Sequence, residues 1–182
     1  GLLGSTFYGK SVKPPQPDGL WKSVTMIGER FKADSGDAIF RRSLYTYWKR
    51  GMPPPQMTIL NAPIRDACVA RRERTNTPTQ ALLLLNEGEY LKAARSLAQK
   101  ALETEAKDGS RLALVYETVT SKLPDEKERK VLSDLVSHLQ KTYLEQPALA
   151  DAICQGLNVG EAKKKAQLAA WTVLVNALYN LD

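Results

Sequence analysis

Histidine and cysteine are scarce in this chain: His138 stands alone, and Cys68 and Cys154 are the only thiols among 182 residues. Two distant cysteines build neither a disulfide framework nor a Cys-x-x-Cys or haem-attachment motif, and the sequence leaves a single bridge between them open. One histidine removes most zinc sites and most acid–base designs, which need several ligands or titratable groups to converge. Long apolar runs are absent too. The longest candidates are residues 81–85 and the stretch from Trp171 to Leu178, both short of the roughly 18 residues a spanning helix requires. The glycines are isolated, which excludes a phosphate-cradling loop, and the carboxylates are scattered without a paired acid–base pattern. No fixed-period repeat is visible, so solenoid architectures drop out. What remains, 43% hydrophobic and 25% charged, is the composition of one globular domain of ordinary size. The opening Gly1-Leu2-Leu3-Gly4 has neither an initiating Met nor a leader pattern, which is expected of a piece of a longer protein.

Charge and chain-breaking residues divide the chain into unlike halves. Residues 1–76 carry a balance of +7 and residues 77–182 a balance of −1. Seven of the ten prolines and seven of the eleven glycines also fall in residues 1–76, where they interrupt any long helix or central strand. That half is expected to be loops and short elements, containing a short strand pair. Trp21, Phe31, Phe40, Tyr45, Tyr47 and Trp48 are spread through it as packing anchors, so it is not disordered by composition and is expected to lie against the second half.

The fold expected is mainly α, with about five helices in residues 77–182. Thr77-Pro78-Thr79-Gln80 places a hydroxyl at the N-cap, proline at the first helical position and glutamine three residues after the cap, which is a capping box. The apolar run 81–85 that follows is hydrophobic nearly all round, so burial on several sides is expected. Asn86-Glu87-Gly88 reads as a break before a helix over about 89–104, and Asp108-Gly109-Ser110 as another before 111–121. Asp125 with Glu128 is a weaker capping signal, followed at helical spacing by Val131, Leu132, Leu135, Val136 and Leu139 up to about Tyr143. A short segment 147–155 ends at Gly156, and 161–180 closes the chain with Leu168, Trp171, Leu174, Val175 and Leu178 on one face.

The densest functional-looking segment is 65–76, where Arg65, Arg71, Arg72, Arg74 and Asn76 stand just before the helix that begins at Pro78. Guanidinium groups near the free N–H donors of a helix start suit a carboxylate, sulfate or phosphate. The plainer reading spends the same arginines on backbone carbonyls and on Asp66 and Glu73, because irregular backbone leaves acceptors unpaired. Residues 40–50 interleave cations and aromatics as a nucleic-acid surface does, yet Leu44, Thr46 and Trp48 alternate like a half-buried strand, which explains the aromatics without a ligand. Pro53-Pro54-Pro55 reads as a stiff connector and 163–165 as a solvated lysine face. Cys68 lies among arginines that would activate a thiol, but no histidine is near it in sequence, so no catalytic residue is assigned.

Four strings form a familiar set. They are Ser11-Val12-Lys13-Pro14 with Gln16-Pro17-Asp18-Gly19-Leu20-Trp21, then Arg41-Arg42-Ser43-Leu44-Tyr45-Thr46-Tyr47-Trp48-Lys49-Arg50, then Arg71-Arg72-Glu73-Arg74-Thr75-Asn76-Thr77-Pro78 with Gln80-Ala81-Leu82, and finally Trp171 with Asn176-Ala177-Leu178 and Asn180-Leu181-Asp182. Over nearly the whole chain this set resembles the C-terminal domain of unknown function of large planctomycete cytochrome-c-associated proteins. The family pattern would place an acid where Asn61 stands and Gly-Pro where Gly9-Lys10 precedes Ser11. The resemblance implies an exported, extracytoplasmic multidomain parent, with haem held in another domain and no cofactor in this fragment. It also implies that the fragment starts inside the family domain.

Residues 1–182 are therefore expected to form a single domain, the C-terminal part of a larger protein. Its expected role is non-catalytic: assembly with other domains of the parent, or binding of a ligand such as an anionic polysaccharide. The alternative is part of an enzyme site that uses the 65–76 cluster on an anionic substrate and is completed by an upstream segment. No metal site and no membrane span are expected, and nucleic acid is disfavoured by the exported character that the resemblance implies.

Overall fold

The computed structural model describes residues 2–23, 31–157 and 159–181, so Gly1 and Asp182 of the terminal strings lie outside the described residues. Among these residues there are seven α-helices and no strand, and the chain divides by its internal contacts into Leu2–Leu83 and Leu84–Asp182.

Leu2–Leu83 is built from three single turns of 3-10 helix, Leu20–Ser23, Gly36–Phe40 and Ser43–Tyr45, and two α-helices, α1 (Pro55–Ile59) and the start of α2 (Pro78–Asn86). The strand pair expected here is reduced to isolated bridges, Val12 with Thr46 and Lys49 with Met52. Val12 N–H donates to the Tyr45 carbonyl at 2.8 Å and Tyr47 N–H to the Val12 carbonyl at 2.7 Å, and the 3-10 turn just before Thr46 ends the pairing. The alternation of Leu44, Thr46 and Trp48 is therefore not a half-buried strand, and Leu44 is 78% exposed. Trp21 organises the packing: it is buried, stacks on Phe31 at 4.9 Å, meets Tyr47 at 5.9 Å, and its indole N–H donates to Gln16 Oε1 at 2.9 Å.

Leu84–Asp182 is a helical body around one central helix. The expectation of about five helices beyond residue 77 is met by six: α2, α3 (Gly88–Thr104), α4 (Asp108–Thr120), α5 (Glu126–Glu145), the short α6 (Pro147–Ile153) and α7 (Ala162–Leu178). Helix α7 packs against α3, α4, α5 and α6. It can do so because Ala166, Ala169 and Ala170 let neighbours approach on one side while Leu168, Trp171, Leu174, Val175 and Leu178 fill the others, all of them buried. The surrounding helices bury stripes at the spacing one helix face dictates: Ala94, Leu97, Ala98 and Ala101 on α3, and Leu112, Val115 and Tyr116 on α4. The buried polar groups Thr172 and Asn176 are satisfied, the first by the Leu168 carbonyl at 2.7 Å and the second by the Leu84 carbonyl at 2.9 Å.

Two apolar expectations fail. Leu82 and Leu85, three residues apart on α2, are 60% and 45% exposed, so the 81–85 run is not buried on several sides. Periodicity alone cannot show how many neighbours a nine-residue helix has. Val131 is likewise exposed, five residues before the buried Val136 of α5 and so on a different face of the helix.

The start of α5 is more than a cap. Asp125 Oδ1 accepts from Glu128 N–H at 2.7 Å, and Glu128 Oε2 accepts from Asp125 N–H at 2.8 Å, completing the box. Glu128 Oε1 then accepts from the hydroxyl of the buried Tyr116 at 2.6 Å, which ties α5 to α4. That hydroxyl, followed by the Asp125 N–H, holds the Glu128 carboxyl below the usual carboxylate range, and the same bond pushes Tyr116 up. A depressed carboxyl stabilises the fold fully above its unfolded pKa of about 4.3, and that stabilisation is lost as pH falls through the depressed value. Urea unfolding at about pH 6 and about pH 3 should therefore show a larger acid-side loss in the native protein than in Glu128→Gln. Equal losses would remove this role.

Candidate anion-binding loop

The basic segment is held at its ends and open between them. Helix α1 stops because Asn61 adopts the left-handed conformation (φ 54°), which asparagine tolerates better than most residues, while Ala62 N–H donates back to the Met57 carbonyl at 2.8 Å. The other end is held by the Thr77–Gln80 capping box, with Thr77 N–H donating to Gln80 Oε1 at 3.1 Å and Gln80 N–H to Thr77 Oγ1 at 3.3 Å. Gln80 is buried and joins the two ends: its Nε2 donates to the Ile59 carbonyl at 2.9 Å and to Thr75 Oγ1 at 2.7 Å. Asn61 Nδ2 donates to that same Thr75 hydroxyl oxygen at 2.6 Å. An acid at position 61 could not make this donation.

Between these ties, residues 63–79 are all exposed. The arginines of the segment have separate fates. Arg72 Nη2 donates to the Leu60 carbonyl, the backbone use that the plainer sequence reading anticipates. Arg65, itself in the left-handed region at φ 65°, lies 4.9 Å over the Trp48 ring. Among the described residues, Arg71 and Arg74 have no hydrogen-bond or ion-pair partner, and they line an open depression together with Arg72, Glu73 and Thr75. Asn76 follows, exposed, outside that lining. Asp66 pairs not with its neighbours but with Arg50, at 3.5 Å on an exposed surface. The structure thus brings together Arg71, Arg72 and Arg74 and sends Arg65 elsewhere. An anion at the depression would meet guanidinium donors in water, where single ion pairs contribute roughly 0–1 kcal/mol, so useful affinity requires several charges on one ligand.

The aromatic cluster is committed internally. Arg41 donates to the carbonyls of Lys10 at 2.9 Å, Thr6 at 3.4 Å and Tyr8, and its guanidinium covers Tyr45 at 3.9 Å. Lys49 covers Trp21 at 4.7 Å, Lys13 covers Tyr47 at 4.9 Å and Arg42 covers Phe7 at 5.2 Å. Each of these rings has one face taken by the protein's own cation, which leaves at most the other for a nucleic-acid base to stack on. Sequence spacing does not reveal this, because partners such as Lys13 and Tyr47 lie far apart in the chain.

The two thiols are unbonded: Cys68 is exposed on the basic loop, and Cys154 is buried, its thiol pushed up by that burial. Among the described residues no group of three or more histidine, cysteine or acidic side chains could hold a metal ion, and no helix is long and apolar enough to cross a membrane.

A sequence model of the family described as PSD1, protein of unknown function (DUF1553), matches residues 1–136. The chain belongs to the DUF1553 family. No curated protein and no solved structure matches it. In this DUF1553 chain the family match takes in the basic loop, its knot at Thr75 and Gln80, and the aromatic cluster. It stops inside α5, so the strings around Trp171 and Asn176 lie beyond it.

Proposed function

We propose that this DUF1553 chain is a non-catalytic binding or assembly module of an exported, cytochrome-c-associated multidomain protein. In this reading its 65–76 loop engages a polyanion, either an acidic face of another domain of the parent or an anionic polysaccharide. The observation that carries the reading is the pairing of a fastened frame with unspent charge: both loop ends are tied through Gln80, Thr75 and Asn61, while Arg71 and Arg74 stand exposed without a partner among the described residues. A loop whose arginines served structure alone would spend them as Arg72 is spent. Haem, in this reading, belongs to another domain of the parent. An active-site role for the same cluster has less support, because electrostatic catalysis needs a water-excluding pocket and this depression is open.

Dextran sulfate and dextran share one backbone and differ in charge, so they test the reading directly. Binding is expected for dextran sulfate alone, weakening steeply with salt. The double variant Arg71→Glu/Arg74→Glu should weaken it by about tenfold or more, with thermal stability nearly unchanged because both residues are exposed. Equal binding of the two polymers, or a variant that binds like the native chain, would overturn the proposal.

A further inference from the structure

A second site stands in the helical body, away from the loop in sequence and outside its chemistry. The first turn of α4, the middle of α5 and Trp171 of α7 enclose a cavity of ≈ 270 Å³. Leu112 and Val136 give it apolar walls, Trp171 lines it from the core, Ser133 stands on α5, and Arg129 and Lys130 stand at its edge. Trp171 is fully buried, and among the described residues its indole Nε1–H has no acceptor. Arg41 Nε, Arg95 Nε and Asn180 Nδ2 are likewise buried donors without a partner among the described residues, and of the four only Trp171 lines this cavity; its polar neighbours Thr172 and Asn176 are both satisfied. Buried donors are nearly always paired, with protein, water or ligand.

Charge at the mouth points the same way. No side chain caps α4, whose N-cap is Lys107, so the N–H groups of its first turn remain available. Gly109 in that turn has open space where a side chain would be. Asp108 also lines the cavity, but its carboxylate is already paired with Arg111 at 2.7 Å. Arg129 uses its Nε on the Pro124 carbonyl at 3.2 Å, and Lys130 forms no ion pair among the described residues.

We infer that this cavity binds a small organic acid. Its apolar body covers Leu112 and Val136, a hydroxyl or carbonyl oxygen accepts from the Trp171 indole N–H, and its carboxylate sits at the mouth by the α4 N-terminus, Arg129 and Lys130. The size suits a ligand of one ring, and the division into apolar walls with few polar groups is that of small-molecule sites in general.

The chain has three tryptophans, Trp21, Trp48 and Trp171, so its indole N–H resonances can be followed one by one after assignment with Trp171→Phe. Titration with 4-hydroxybenzoate should move the Trp171 resonance saturably and leave the other two in place. The neutral analogue 4-hydroxybenzyl alcohol and the Lys130→Glu variant should each bind about fivefold more weakly, the loss of one exposed charge contact. Ser133→Phe, an exposed position that fills the cavity, should abolish the shift, whereas Arg71→Glu/Arg74→Glu should leave it unchanged and so separates this site from the loop. A Trp171 resonance that the acid does not move, as for a donor satisfied by buried water only, would overturn the inference. So would equal binding of the acid and the alcohol.

Discussion

Trp171→Ala should destabilise the protein by about 3–5 kcal/mol, the range for deleting a large buried aromatic, and lower the melting temperature by roughly 10 °C or more. The residue is fully buried on α7, the helix that α3, α4, α5 and α6 all pack against, so the void it leaves is bordered by several elements and cannot close by the shift of one. The cost is a large fraction of the stability of a typical domain, about 5–15 kcal/mol. Trp171→Phe should be far milder, about 1.5 kcal/mol or less, because it keeps most of the apolar body and gives up an N–H that has no protein partner among the described residues. Urea unfolding followed by far-ultraviolet circular dichroism compares the two. A Phe variant as damaged as the Ala variant would mean that the indole N–H contributes a hydrogen bond to the fold. An Ala variant within about 1 kcal/mol of native would mean that α7 is not the centre of the core.

Gln80→Ala is expected to cost about 1–3 kcal/mol, although a glutamine at a helix start is ordinarily replaceable. Three bonds leave with the side chain: those to the Ile59 carbonyl, to Thr75 Oγ1 and from the Thr77 N–H. The residue is buried, so the groups it abandons are poorly placed to recover water, and the unpaired Ile59 carbonyl carries most of the cost. Gln80→Glu separates the roles. It keeps the acceptor that completes the capping box but loses the donor to Ile59 and sets an anion against that carbonyl, so it should be at least as damaging as alanine. Hydrogen exchange would locate the effect: the Ala62 amide, which donates to the Met57 carbonyl, should lose protection as the loop's two ends separate. Unchanged protection at Ala62 in both variants would show that Gln80 caps α2 and does nothing for the loop.

Legibility in the sequence followed the range of the interaction. Both capping boxes, at Thr77 with Gln80 and at Asp125 with Glu128, were readable because donor and acceptor lie three residues apart and the helix itself brings them together. The buried face of α7 was readable for the same reason, since Leu168, Trp171, Leu174, Val175 and Leu178 are related by helical spacing. Residues 43–49 were not. A strand exists only by its partner, and the partner here is Val12, which supplies one bridge. The basic loop was half legible: its charge and its place before Pro78 are written in the chain, but nothing in Arg65, Arg71, Arg72 and Arg74 tells which will cover Trp48, which will hold the Leu60 carbonyl and which will stay exposed.

The sequence by itself determined the helical class of residues 77–182, the basic and chain-breaking character of residues 1–76, the starts of α2 and α5, and the scarcity of metal ligands. These follow from composition and from forces acting within one helical turn. Only the tertiary structure decided that α7 is central to the helical body, that Leu82 and Leu85 face solvent, that cations cover the aromatic rings, and that Trp171 borders a cavity with its N–H unpaired among the described residues. Each of those depends on which residues meet across tens of positions, and hydrophobicity and charge constrain such meetings without selecting one.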